Sequence, residues 1–126
     1  RDPVLLGAWL RPGQHVNAVG APPRPDHREV DGAAMKRSHV VVDSHDTAMA
    51  KSGGVLLAIA EGAIAEDDVR TELGQVIVGS RAGRSSAEDV TLFESVGLGL
   101  QDLATAELVL ARAAELGVGT TVDLSA

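Results

Sequence analysis

Ser95 is the residue of this chain whose type and setting best suit chemistry. It lies within Thr91 to Leu103 (TLFESVGLGLQDL), which reads as a short strand over Thr91 to Phe93, broken at Ser95 and Gly97, then a long amphipathic helix. A hydroxyl at the carboxyl end of a strand, with small residues behind it, is what an open α/β sheet offers a ligand. The helix start beside it aims backbone N–H groups the same way. A second segment, Gln14 to Gly20 (QHVNAVG), reads as a short apolar strand that stops at Gly20 and enters a Pro-rich loop. Two strand ends of this kind predict two walls of one crevice. The competing reading of Ser95 is a local turn former.

Other polar residues carry weaker signals. Asp26 and His27 have the types of an acid and base pair at the rim of a site, but an Asp in such a loop also bonds neighbouring backbone N–H groups and makes a turn. Asp43 and Ser44 follow a β-branched run, where they could touch a ligand; a helix N-cap is the plainer role. Trp9, the only tryptophan, reads as an anchor at a core edge. Asp102, on its helix, reads as solvated or as paired with a neighbouring domain. His15 and His39 open strands, and His27 and His45 sit near loop ends. No pair has zinc-helix spacing with a further ligand, so no metal is expected.

The elements that must position these groups follow from pattern. Pro3 to Leu10 is a turn of helix or an extended cover piece, stopped by Pro12 and Gly13. His15 to Val19 is a strand, and Pro22, Pro23 and Pro25 hold the next loop extended. Asp31 can cap a short helix through Met35 to Arg37, and His39 to Val42 (HVVV) has the character of a strand buried on both faces. A helix follows until Gly53 and Gly54 interrupt it. Val55 to Ile64 is a covered apolar segment, a further helix runs from Asp67 and Asp68 to Val78, and Ser80 to Asp89 is a polar, mobile loop. From Gly99 to Leu116 the residues Leu100, Leu103, Leu108 and Leu110 recur near helical spacing, and Gly117 ends the run. Val118 to Leu124 is a last extended piece. Short strands alternating with helices indicate α/β architecture with parallel strands.

Composition narrows the function. The 126 residues suffice for one ordinary domain. With 2% aromatic residues, stacking platforms for single-stranded nucleic acid are missing, and a net charge of −7 repels a phosphate backbone. No nucleic acid partner is expected. Without cysteine, disulfides and thiolate sites are excluded. No apolar run approaches a membrane span or a signal peptide, so a cytoplasmic protein with no membrane partner is the expectation. The sequence starts at Arg1 and contains no G-x-G-x-x-G turn and no P-loop. It fits the second half of a doubly wound sheet, and the opening reads like the middle of a protein.

The blocks HVNAVG, RPDHRE, VVVDS, LLAIAEGAI, TELGQVIVG and TLFESVGLGLQDL, in this order and spacing, resemble the carboxyl-terminal half of the ornithine cyclodeaminase and mu-crystallin family. The resemblance covers Pro3 to about Leu110. It implies residues 1–98 as a partial NAD(P)-binding Rossmann domain and residues 99–126 as a helix and tail returning to a substrate and dimerisation domain. It implies NAD or NADP as cofactor, a small imino or amino acid substrate, and a homodimer when intact. Asn17, Ala18, Val19 and Gly20 match the family's strand end beside the cofactor, where small side chains let a dinucleotide approach the backbone. Ser95 matches the serine near the nicotinamide amide, preceded by Glu94 where family members usually carry Lys.

A larger departure lies in the proline loop. Cyclodeaminases place an Asp two residues after the glycine of NAVG; Pro22 stands there instead. The loop, one residue longer, is similar to that of the mu-crystallin branch, whose members reduce cyclic ketimines. The implied activity is therefore imino-acid reduction, with Asp26 the catalytic candidate. Ornithine cyclodeaminase or alanine dehydrogenase activity, a non-catalytic binder of cofactor and small molecules, and an inactive fragment are the alternatives.

Overall fold

The computed structural model describes residues 2–123 and 125. Arg1, Ala126 and Leu124, the end of the expected last extended piece, lie outside the described residues. Three parallel strands form the sheet: β1 (His15–Ala18), β2 (His39–Val42) and β3 (Thr91–Glu94). Their order is β1-β3-β2, so the last strand in sequence is central. Helices α1 (Gly32–Lys36), α2 (His45–Lys51), α3 (Gly53–Ala60) and α4 (Leu73–Ile77) connect them, and α5 (Gly99–Leu116) closes the chain. The expected architecture, α/β with parallel strands and a long carboxyl-terminal helix, is what forms.

Register fixes which side chains share a face. Val16, Leu92 and Val40 form one row, and Ala18, Glu94 and Val42 the next. With a side-chain period of two, both rows point to the same side. There Ala34 and Met35 of α1, Ala48 of α2, and Val55 and Ala58 of α3 complete the core. The alternate rows, His15–Thr91–His39 and Asn17–Phe93–Val41, look the other way. That side carries a cleft of about 370 Å³ lined by His15, Asn17, Phe93, Leu73 and Val76. Helices thus cover one face of the sheet well and the other thinly.

Most local expectations hold, and their exceptions have identifiable causes. Asp31 caps α1 by accepting from the Ala34 N–H at 2.8 Å, and the same oxygen takes the Gly7 N–H at 2.8 Å, tying down the amino-terminal turn Gly7–Trp9. The helix expected to stop at Gly53 and Gly54 ends at Lys51, just before them, and the two glycines begin α3, with Ser52 as its cap. Their lack of side chains serves close approach. A Cβ on Gly53 would lie 2.0 Å from the His27 carbonyl oxygen of the proline loop. The helix expected over 67–78 is split into a 3-10 turn, Glu66–Val69, and α4. Between them the chain is drawn straight against the end of β2, where the Val42 N–H donates to Thr71 O at 2.9 Å. Trp9 is 60% exposed and does not anchor the core edge; its neighbour Leu10 turns inward at 5%. The loop over 80–89 is pinned by Asp89, which accepts from the Ser85 and Ser86 N–H groups, both at 2.8 Å.

Candidate functional site at the carboxyl edge of the sheet

Parallel sheets present ligands with the edge where their strands end. Register places Ala18, Glu94 and Val42 level with one another, so the next residues, Val19, Ser95 and Asp43, emerge side by side. The Ser95 N–H donates to Ala18 O at 3.0 Å, extending the β1–β3 ladder by one step. The two segments singled out in the sequence are therefore adjacent, and neither is entombed. A larger hollow of about 530 Å³, near Pro12, Arg37, His39 and Asp89, opens where the strands begin and is the wrong end for such a ligand.

Asp43 organises this edge. Its Oδ2 accepts from the Ser95 hydroxyl at 2.8 Å, from Val96 N at 3.0 Å and from Gly97 N at 2.8 Å, while Oδ1 takes Ser44 N at 2.8 Å. Gly97 has a φ of +83°, which L side chains rarely adopt, and this lets two successive N–H groups converge on one oxygen. Of the two candidate caps for α2, Ser44 does the capping through the Thr47 N–H. Asp43 instead crosses to the loop after β3. The sequence signal for this role is its place directly after VVV, the same place Ser95 holds after its own strand.

On the other flank, Glu29 Oε2 accepts from Gly20 N at 2.6 Å and Ala21 N at 3.1 Å, fixing the chain as it leaves β1. A Cβ on Gly20 would lie 2.9 Å from the Glu29 carboxylate. Val19 is exposed, while Ala18 is buried in the core and takes part through its carbonyl. Asn17 belongs to the open face of the sheet, its Oδ1 3.1 Å from His15 Nε2.

Glu94 turns away from the crevice, toward the amino end of α3. It is 5% exposed and accepts from the Ser52 hydroxyl at 2.7 Å. Burial pushes its carboxyl up to about 7; Ser52 opposes the shift, and the nearby Glu29 and Asp43 reinforce it. A Cβ on Gly54 would stand 2.6 Å from Glu94 Oε1. The Glu94 carboxyl is thus held inside the fold, behind the site.

Asp26 lies on the exposed part of the proline loop, with its Oδ1 2.9 Å from His27 Nδ1. Among the described residues no group of three or more His, Asp or Glu side chains could hold a metal ion. No helix of the described residues is long and apolar enough to cross a membrane.

Comparison with known proteins gives this edge a context. The profile of the ornithine cyclodeaminase/mu-crystallin family matches residues 1–117. The ketimine reductase mu-crystallin of Rattus norvegicus is 43% identical over 108 residues, which is 86% of this chain and 31% of that protein. The solved Δ1-pyrroline-2-carboxylate reductase of Thermococcus litoralis, in complex with NADH and L-proline, superposes with a TM-score of 0.85 at 40% identity, over 97% of this chain and 38% of that one. An archaeal alanine dehydrogenase dimer with bound NAD gives a TM-score of 0.81 at 35% identity, over 98% of this chain and 38% of that one. The chain spans about a third of the length of these relatives.

Proposed function

The chain belongs to the ornithine cyclodeaminase/mu-crystallin family, and from that premise we propose that it is the cofactor-binding carboxyl-terminal part of a cytoplasmic NAD(P)-dependent reductase of small 2-imino or 2-oxo acids. The observation that carries the proposal is the junction of β1 and β3. There Ser95 and the backbone of Val19 and Gly20 share one edge, held from behind by Asp43 and Glu29.

The residues present fit a dinucleotide. Gly20 and Val19 leave backbone accessible, the Ser95 hydroxyl oxygen lies at the edge, and both loops are rigidly tied, so binding spends little on ordering them. When bound, the nicotinamide ring carries the hydride that reduces a C=N or C=O carbon. Ser95 would orient its carboxamide, while Asn17 and Ala18 would shape the strand beneath. Asp26, bonded to His27, is the rim group proposed to move a proton. Pro22, in place of the carboxylate expected for deamination, favours reduction over cyclodeamination.

A homodimer is part of the same proposal. Leu100, Leu103, Leu108 and Leu110 of α5 are 57–71% exposed, an apolar stripe suited to a covering surface.

The test uses the protein at its natural full length. NADH titration and turnover of Δ1-pyrroline-2-carboxylate should both be measurable. Ser95→Ala should raise the cofactor KM by about tenfold with little change in melting temperature. Absence of nicotinamide-cofactor binding by the intact protein would overturn the reading.

A further inference from the structure

We propose that Asp43 sets the ligand specificity of this edge by holding Ser95 as a hydrogen-bond acceptor, so that the site takes a carboxamide and rejects the corresponding carboxylate. The inference rests on the reading of Ser95 as the residue facing the nicotinamide, and it deepens that reading.

A serine hydroxyl has one proton to give and two lone pairs. In Ser95 the proton is committed to Asp43 Oδ2 at 2.8 Å. Gly97 N makes a longer approach to the same hydroxyl oxygen at 3.3 Å, which leaves one lone pair for a ligand. The acceptor is hard to release. Oδ2 also receives the Val96 and Gly97 N–H groups and Oδ1 the Ser44 N–H, so the carboxylate is fixed in place by four donors. Hydrogen bonds to a charged acceptor are about twice as strong as neutral ones. Turning the hydroxyl outward would sacrifice one of them.

The consequence is chemical. A carboxamide presents an NH2 donor, which matches the free lone pair. A carboxylate presents only acceptors, so it would oppose oxygen to oxygen and face the charge of Asp43 one hydrogen bond behind. A site built to pair with an N–H group rejects an analogue that lacks it, because the group on the protein is then left unpaired.

The experiment compares binding of NAD+ and of nicotinic acid adenine dinucleotide to the full-length protein by calorimetry, with circular dichroism melting as the folding control. The expected result is a preference for NAD+ of about tenfold or more. Asp43→Ala removes the acceptor, so Ser95 can turn its proton outward, and the preference should collapse to within about threefold; Ser95→Ala should lose it too, and Ser95→Thr should keep it. If Asp43→Ala fails to fold, Asp43→Ser takes its place. An unchanged preference in a folded Asp43 variant, alongside its loss in Ser95→Ala, would overturn the proposal and leave the cofactor reading standing. Equal binding of the two dinucleotides by the unaltered protein would overturn the proposal alone. Binding of neither would overturn both.

Discussion

The two ends of the β3–α5 segment behave oppositely. Thr91 to Gly97 is tied on every side: paired to two strands, carried by Leu92 at 0% exposure, and bonded through its loop to Asp43. Gly99 to Leu116 is a helix of 18 residues with no buried residue at all. Both were legible as elements, yet one draws its stability from this chain and the other lies exposed along its length. Most helical stability in proteins comes from packing of an amphipathic face, which α5 lacks within this chain. Secondary structure and fold support are therefore separate properties within a single stretch of sequence.

The sharpest way to break that contrast is a pair of truncations. Leu92→Ala removes a fully buried side chain from the central strand and should cost about 3–4 kcal/mol in denaturant unfolding. Leu103→Ala, on the exposed stripe of α5, should cost about 0.5 kcal/mol or less when measured on this chain. Equal losses would mean that α5 packs against its own chain after all.

Glu94 sharpens the comparison at the boundary. Its carboxyl is raised from 4.5 to about 7 by burial, so the folded protein holds a proton that the unfolded chain has released. The stabilisation is complete below pH 4.5, is lost as pH rises toward 7, and changes no further above that. The expected loss is on the order of 3 kcal/mol. Glu94→Gln, which keeps an acceptor for Ser52, should flatten the curve, matching the parent near pH 4.5 and exceeding it at pH 8. Parallel pH profiles for parent and variant would place the charge in a solvated setting.

Gly54→Ala tests the same packing from the helix side. The added methyl would stand 2.6 Å from Glu94 Oε1 and 3.0 Å from Met35 Cε, so a loss of about 1–3 kcal/mol is expected in thermal unfolding. Gly74→Ala is the control, since nothing lies within 4 Å of its Cβ position.

What could be read from the residues divides along a physical line. Period and punctuation are local, so HVVV, the Asp31 cap, the 99–116 helix and its stop at Gly117 were all readable. Interactions between distant segments were not. The straightening of Thr71 and Glu72 comes from pairing with Val42, and Gly53 and Gly54 are glycines because the proline loop and Glu94 press on α3. The site shows the same division. Ser95 and Gly20 stood out as strand ends, but Asp43 and Glu29 act 52 and 9 residues away from the groups they bond, and no spacing rule connects them.

The smallest effect is expected at Gly117, where α5 ends. Its φ of +64° is left-handed, and the following Val118 N–H reaches back to Ala113 O at 3.0 Å, closing the helix terminus. Alanine in that conformation costs about 1 kcal/mol. Because α5 buries nothing against the rest of this chain, the penalty should remain within the helix. Hydrogen exchange should then quicken about fivefold for the amides of Ala113 to Leu116 and stay unchanged for Leu92. A matching acceleration at Leu92 would show the two regions unfolding as one unit, and the separation of helix from sheet would have to be abandoned.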